Sequence, residues 1–376
     1  MSWRQDINFS NLKIARENID LSTQEATHKI NPKTKKDKVA LWEAGNITDK
    51  SPSYKQLEKL ADIYNISPFH LLMKENLEIS KTIPAYRSTK IEEGYYLKRF
   101  ISLLKTRQNI IRYNMLLDKT SSNNLVGSGR NYKDAESLAK FIISKIGYRI
   151  KDLNNKKALA HLRELLEKQY IFVFKNTVLR NEKIDLAEMR GIYINDQYAP
   201  LIALNREDSS TGQLFTLAHE LVHLFRAEDS LDSIDFRQFD QIKDKEEIFC
   251  NQVAAHFLMP KSEIPQLVYE NVEGIKDLAK KFQVSSLACF YRLKDLKKIN
   301  YSDLNGLENF FKSEIQQNLE NKKSFRGSDR RGFSPHASIK SGNGSLFNEY
   351  IFSLHLDNRL SASETQKLLR LPLGSF

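Results

Sequence analysis

The stretch Phe215–Phe225, FTLAHELVHLF, is apolar along nearly its whole length, yet it carries His219, Glu220 and His223 within five residues. Its apolar positions recur with a helical period, so the segment reads as a buried helix in which leucine would pack better than any of the three. Burying a polar side chain without a partner costs about 2–7 kcal/mol, so something must compensate all three. His219 and His223 stand four residues apart, about 40° around a helix, and their imidazoles project from one face where they can share one ion. The pattern is H-E-x-x-H. The competing reading is a packed helix whose histidines bond to backbone carbonyls.

A catalytic zinc site needs a third protein ligand and a fourth position left open. Two residues qualify. Asp229 lies six residues beyond His223, where a glycine turn can bring a ligand back, but Arg226 occupies the glycine position. Glu247 opens the apolar segment EIFCNQVAAHFLMP (Glu247–Pro260) and fits the other arrangement, a glutamate on a separate helix. Asn251 lies one turn beyond Glu247 on the same face, where an amide can hold a ligand histidine by its free ring nitrogen. Glu246 would point about 100° away, and His256 reads as a packing residue on that helix.

Working outward, three runs of strand length and β-branched or aromatic character precede this motif: YIFVF (170–174), GIYIN (191–195) and PLIALN (200–205). Asn195-Asp196-Gln197 makes a hairpin of the last two, and PLIALN, if it lies at an edge, can pair with an extended substrate. Helices are expected at 134–147 and 156–169 before the strands, and two more within 272–299. Ser361 and Glu364 form a capping box for a short terminal helix. Residues 9–73 read as a separate set of short helices, with Ser22 or Thr23 as an N-cap and a stop near Gly45. The polar TSSNNLVGSGRN (120–131) reads as a linker. The expected class is α+β, mostly helical, in four parts: 1–78, a basic helical stretch 79–130, 131–300, and an accessory region 301–376.

The net charge is +11, and residues 86–170 carry 18 Lys and Arg against 8 Asp and Glu, so the excess sits in mid-chain and favours a polyanion such as DNA. Cys250 and Cys289 form no C-x-x-C pair and suit a reducing compartment. With no signal-peptide core and no run of about 18 apolar residues, a cytoplasmic protein is expected, without membrane attachment.

The segments STQEA, LWEAG and YKQLEKLADIYNISPFHLL together resemble the phage-repressor type of helix-turn-helix, the XRE class, over about 65 residues. The usual turn glycine is replaced by Asn31, which tolerates a left-handed backbone, and Pro32 with about two extra residues follows. Lys33, Lys35, Lys36 and Lys38 are the candidates for contact with DNA phosphates.

From PLIALN through FTLAHELVHLF and EIFCNQVAAHFLMP to FQVSSLACFYRL, the chain resembles the ImmA/IrrE family of zinc metallopeptidases, with Cys250 in the place of an alanine. Members joined to an XRE-type domain are a familiar arrangement. The resemblance implies a minimal thermolysin-like core, zinc held by His219, His223 and Glu247, and Glu220 as the base. Tyr193, Tyr198, Tyr291 and Arg292 stand as candidate oxyanion donors. It also implies a regulatory endopeptidase that cleaves a specific partner protein, a repressor encoded nearby, coupled to DNA binding and open to homodimer formation. The alternatives are a DNA-binding or antitoxin-like regulator with a non-proteolytic metallopeptidase fold, and a zinc hydrolase of a small substrate.

Overall fold

The strands carry no apolar–polar alternation because both faces of their sheet are covered. In the computed structural model, β1 (Phe172–Lys175), β2 (Gly191–Ile194), β3 (Leu201–Leu204) and β4 (Ser230–Asp232) form a mixed sheet in the order β1-β3-β2-β4. β1 runs parallel to β3, and β2 is antiparallel to both β3 and β4. Residues 7–18, 21–34, 36–45, 51–64, 66, 71–72, 76, 95–153, 156–176, 183–227, 230–232, 245–325, 334–372 and 374 are described.

By this register, Val173, Tyr193, Ile202 and Leu204 share one face with Gly191, and they join the main core with α8 (Ser210–Arg226). Phe172 and Phe174 take the opposite face, where they meet Tyr350 and Phe347 at ring separations of 6.2 and 4.9 Å. Those rings belong to α14 (Ser345–Leu356), which follows α13 (Pro335–Asn343). The region 334–372 thus supplies the second cover of the sheet. Its attachment is polar as well. Arg163 of α7 (Ala158–Lys168) donates to the carbonyls of Val173 and Ser341, and the Glu167 carboxylate accepts from the Ser345 and Leu346 amides at the start of α14.

The expected hairpin is present, with Asp196 Oδ1 accepting from the amides of Tyr198 and Ala199. PLIALN is not at an edge: β3 is paired on both sides, so its backbone groups are used within the sheet and the expected substrate pairing there is overturned. The polar stretch 120–131 is bonded down, since the amides of Gly127 and Gly129 donate to Leu224 and Phe225 carbonyls at the end of α8. α6 (Ala135–Ile146) then ends at Gly147 in a left-handed C-cap. α9 (Lys245–Leu258) packs against both α6 and α8. α10 (Val272–Phe282), α11 (Ser286–Asp295) and α12 (Leu304–Phe325) follow, and α15 (Ala362–Leu369) starts with the Ser361–Glu364 capping box.

The chain divides into two compact units, residues 1–113 and 114–376, the division falling within α5 (Tyr95–Leu117). In the first, α1 (Phe9–Asn18), α2 (Thr23–Ile30), α3 (Lys38–Glu43) and α4 (Tyr54–Tyr64) enclose Leu12, Ala26, Val39, Trp42 and Leu60. Ser22 caps α2 through a reciprocal capping box with Glu25. Asn31 is not left-handed: its φ is −147° and ψ 99°, because Pro32 restricts the residue before it to extended conformations. Its side chain accepts instead from the Lys33 amide.

Asp37 joins α2 to α3. Its carboxylate accepts from the Thr23 and Thr27 hydroxyls and from the Ala40 amide at the start of α3, with distances of 2.6, 2.9 and 3.0 Å. Burial raises the Asp37 pKa, but these three bonds and the charge of Arg16 outweigh it, and the net shift is downward. Its stabilising contribution is therefore complete above the ordinary value of 3.8 and is lost as pH falls through the lower folded value. Asp37→Ala should destabilise this unit by about 1 kcal/mol at neutral pH. Faster amide hydrogen exchange at residues 38–41, with the difference from wild type vanishing in acid, is the expected result.

Candidate metal centre

α8 is built from its first residue to hold still. Ser209 caps it by accepting from the Gly212 amide. Asp208 pairs with buried Arg190 at 2.9 Å and accepts from the Ser209 amide. Asn205, at the end of β3, donates to the Ile184 and Met189 carbonyls and accepts from Asn176. The helix is buried on almost every side from Gln213 to Phe225, including His219, Glu220 and His223.

The structure brings His219, His223, Glu247 and Asn251 together. His219 Nε2 and His223 Nε2 lie 3.0 Å apart, and the Glu247 carboxylate oxygens are 3.2 Å from the first and 3.5 Å from the second. Among the described residues these three form the one His/Cys/Asp/Glu group able to hold a metal ion. Tetrahedral zinc with bonds of about 2.0–2.1 Å would space neighbouring ligand atoms about 3.3 Å apart, so the triangle fits. The N,N,O donor set also fits, and Glu247, at 23% side-chain exposure, leaves one side of the group accessible.

The surroundings prepare the histidines as lone-pair donors. Asn251 Oδ1 lies 2.9 Å from His219 Nδ1; an amide oxygen only accepts, so the proton sits on Nδ1 and Nε2 is left to bind. Burial above all, helped by the charge of Arg226 and opposed by Glu247, lowers the His223 pKa to about 3, which keeps its ring neutral. For Glu247, burial works upward, but its place against the two histidine rings brings the net shift down, which keeps a carboxylate.

Glu246 is turned away and held by Arg226, which also lies over the Phe249 ring at 5.2 Å. Arg226, at the glycine position of the alternative arrangement, has this separate task, and the left-handed residue ending α8 is Ala227. Asp229 lies outside the described residues. His256 is not in the triangle and faces Asp295 at 3.7 Å.

Three of the four candidate oxyanion donors are engaged elsewhere. The Tyr291 hydroxyl donates to Glu308, Arg292 to the Met259 carbonyl and to Asp295, and Tyr193 to Asn195, while Tyr198 sits half-buried beside the 120–124 stretch. Sequence reasoning missed Cys250, whose sulfur lies 4.0 Å from His223 Nδ1 and 3.9 Å from Glu246. The signal was its position, one helical turn from Glu246 and beside Asn251.

Residues 175–294, about a third of the chain, match the family model described as the IrrE N-terminal-like domain of the M78 peptidases. No curated protein matches the chain. The match spans β2, β3, α8 and α9 and so contains the whole triangle; it supports a metallopeptidase. Among the described residues, no helix is long and apolar enough to cross a membrane.

The geometry predicts the metal balance. Elemental analysis should find about one zinc per chain, and far less after His219→Ala or Glu247→Ala, with Glu246→Ala keeping it. Asn251→Ala should weaken zinc binding by about 10–100-fold. Retention of zinc by Glu247→Ala would move the third ligand elsewhere.

Proposed function

We propose that this chain is a regulatory zinc endopeptidase that cleaves a specific partner protein, a transcriptional repressor, and couples this to DNA binding. The observation that carries the enzymatic part is the His219–His223–Glu247 triangle with Glu220 between the two histidines on the same buried helix. Zinc held there would supply Lewis acidity toward the scissile carbonyl and toward water.

The remaining work belongs to the side chains. His219 and His223 stay neutral and fixed, the first through Asn251. Glu220 takes the proton of the attacking water and delivers it to the leaving amine nitrogen, which converts a poor leaving group into a neutral amine. Glu220 stands outside the ligand triangle, so its substitution separates chemistry from metal binding. Glu220→Gln should keep zinc and fold while lowering the cleavage rate about 10²–10⁴-fold. In cells, its target repressor should stay intact under conditions in which the wild-type protein removes it. Wild-type signalling from this variant, with zinc in place, favours the second reading: a regulator whose metallopeptidase fold binds without cleaving.

DNA binding rests on helices α1–α4 of the first unit and the basic turn between α2 and α3. Lys33 and Lys36 are exposed in the turn joining α2 to α3, and Lys38 is half-buried as the first residue of α3. Lys35 lies outside the described residues. The exposed pair suits phosphate contacts, which give affinity without sequence information. Binding of the full chain to its own promoter should fall steeply with salt, and Lys33→Ala with Lys36→Ala should reduce the magnitude of the log–log salt slope by about 2. An unchanged slope would locate the footprint elsewhere, with the basic residues of 86–170 the next to test.

A further inference from the structure

We infer that Gly191 is a positioning residue for Glu220: its missing side chain is the space in which the Glu220 carboxyl lies against β2. The inference deepens the peptidase reading and rests on it for the role of Glu220. A Cβ placed on Gly191 would stand 2.8 Å from Glu220 Oε1, 3.1 Å from Glu220 Cγ and 2.3 Å from Thr216 Cγ2. All three atoms belong to α8, and Thr216 is one turn ahead of Glu220.

Backbone conformation does not demand glycine here. Gly191 is not among the glycines with positive φ, so alanine could adopt its φ and ψ. What excludes a side chain is proximity. The strand cannot withdraw, because Gly191 is paired to Leu204 on one side and Asp232 on the other. The helix cannot withdraw either, because its start is tied to Arg190, the neighbour of Gly191, through Asp208. Glu220 is fully buried, so its carboxyl is held among protein atoms. Gly191 therefore fixes how deeply the carboxyl can sit, while the histidines one residue before it and three after it point to the triangle.

Two different roles could require this glycine, close helix packing through Thr216 or room for the Glu220 carboxyl, and a variant set separates them. Thr216→Ser removes the methyl nearest the added Cβ. In that background, Gly191→Ala, Glu220→Asp and the combination form a double-mutant cycle read by thermal unfolding of the full-length zinc protein. The inference predicts that Gly191→Ala lowers Tm by several degrees with Glu220 present and by much less after Glu220→Asp, which withdraws the carboxyl by one methylene. A non-additivity of about 3 °C or more is expected. Shifts that add within about 1 °C overturn it.

If the alanine chain folds only together with Glu220→Asp, the coupling is shown in its strongest form. If it folds with neither, Glu220→Ala decides: recovery supports the inference and continued failure overturns it. Activity gives a second readout. Gly191→Ala with Thr216→Ser should retain zinc and KM and lose about 100-fold in kcat relative to Thr216→Ser alone; kcat within threefold overturns the positioning role. Should the wild-type protein cleave nothing, the peptidase reading falls, while the thermal cycle still decides whether Gly191 places Glu220.

Discussion

The structure depends on how three polar side chains survive inside α8. His219, Glu220 and His223 are each at most 3% exposed, in a helix whose other buried positions are nearly all apolar. Left unpaired, such groups would cost several kcal/mol and favour a different packing. For the two histidines the resolution comes from α9, a helix distant in sequence, which brings Glu247 and Asn251 to the same point one turn apart. α6 packs along α9, and the bonded-down 127–129 segment holds the end of α8, so the surrounding elements fix the two helices that meet there. A metal shared by the three ligands would make their convergence favourable.

The sheet supports this from the other side. Because α13 and α14 cover its second face, the strands can be apolar on both faces and rigid, and β2 offers α8 a surface without side-chain relief at Gly191. Arg163 and Glu167 fasten that cover by reading backbone groups, which are present whatever the side chains. The far end of the chain thus contributes to the site without touching it.

Much of the site was legible in the sequence because its signals are local. Histidines four apart on an apolar helix, and a glutamate followed four residues later by asparagine, each imply one helical face. The Ser22 and Ser361 caps were legible for the same reason. What escaped depends on pairings between distant segments. An apolar run such as PLIALN is the same whether it is an edge or a centre, and only the register with β1 and β2 decides. The stretch 120–131 reads as a linker from composition, yet its glycines let the backbone bond to α8. Asn31 tolerates a left-handed backbone by its own preference, but its neighbour Pro32 governs the conformation. Cys250 beside His223 was visible as a residue but not as a contact.

We propose that a metal held by His219, His223 and Glu247 compensates the two buried histidines of α8. X-ray absorption at the zinc edge of the native protein tests it most directly, because it reports the donor atoms themselves. The account predicts two imidazole nitrogens and oxygen donors at about 2.0–2.1 Å, with no sulfur in the first shell. Zinc–sulfur scattering at about 2.3 Å, which would draw Cys250 into the ligand set in place of Glu247, would contradict it, as would a zinc shell without imidazole.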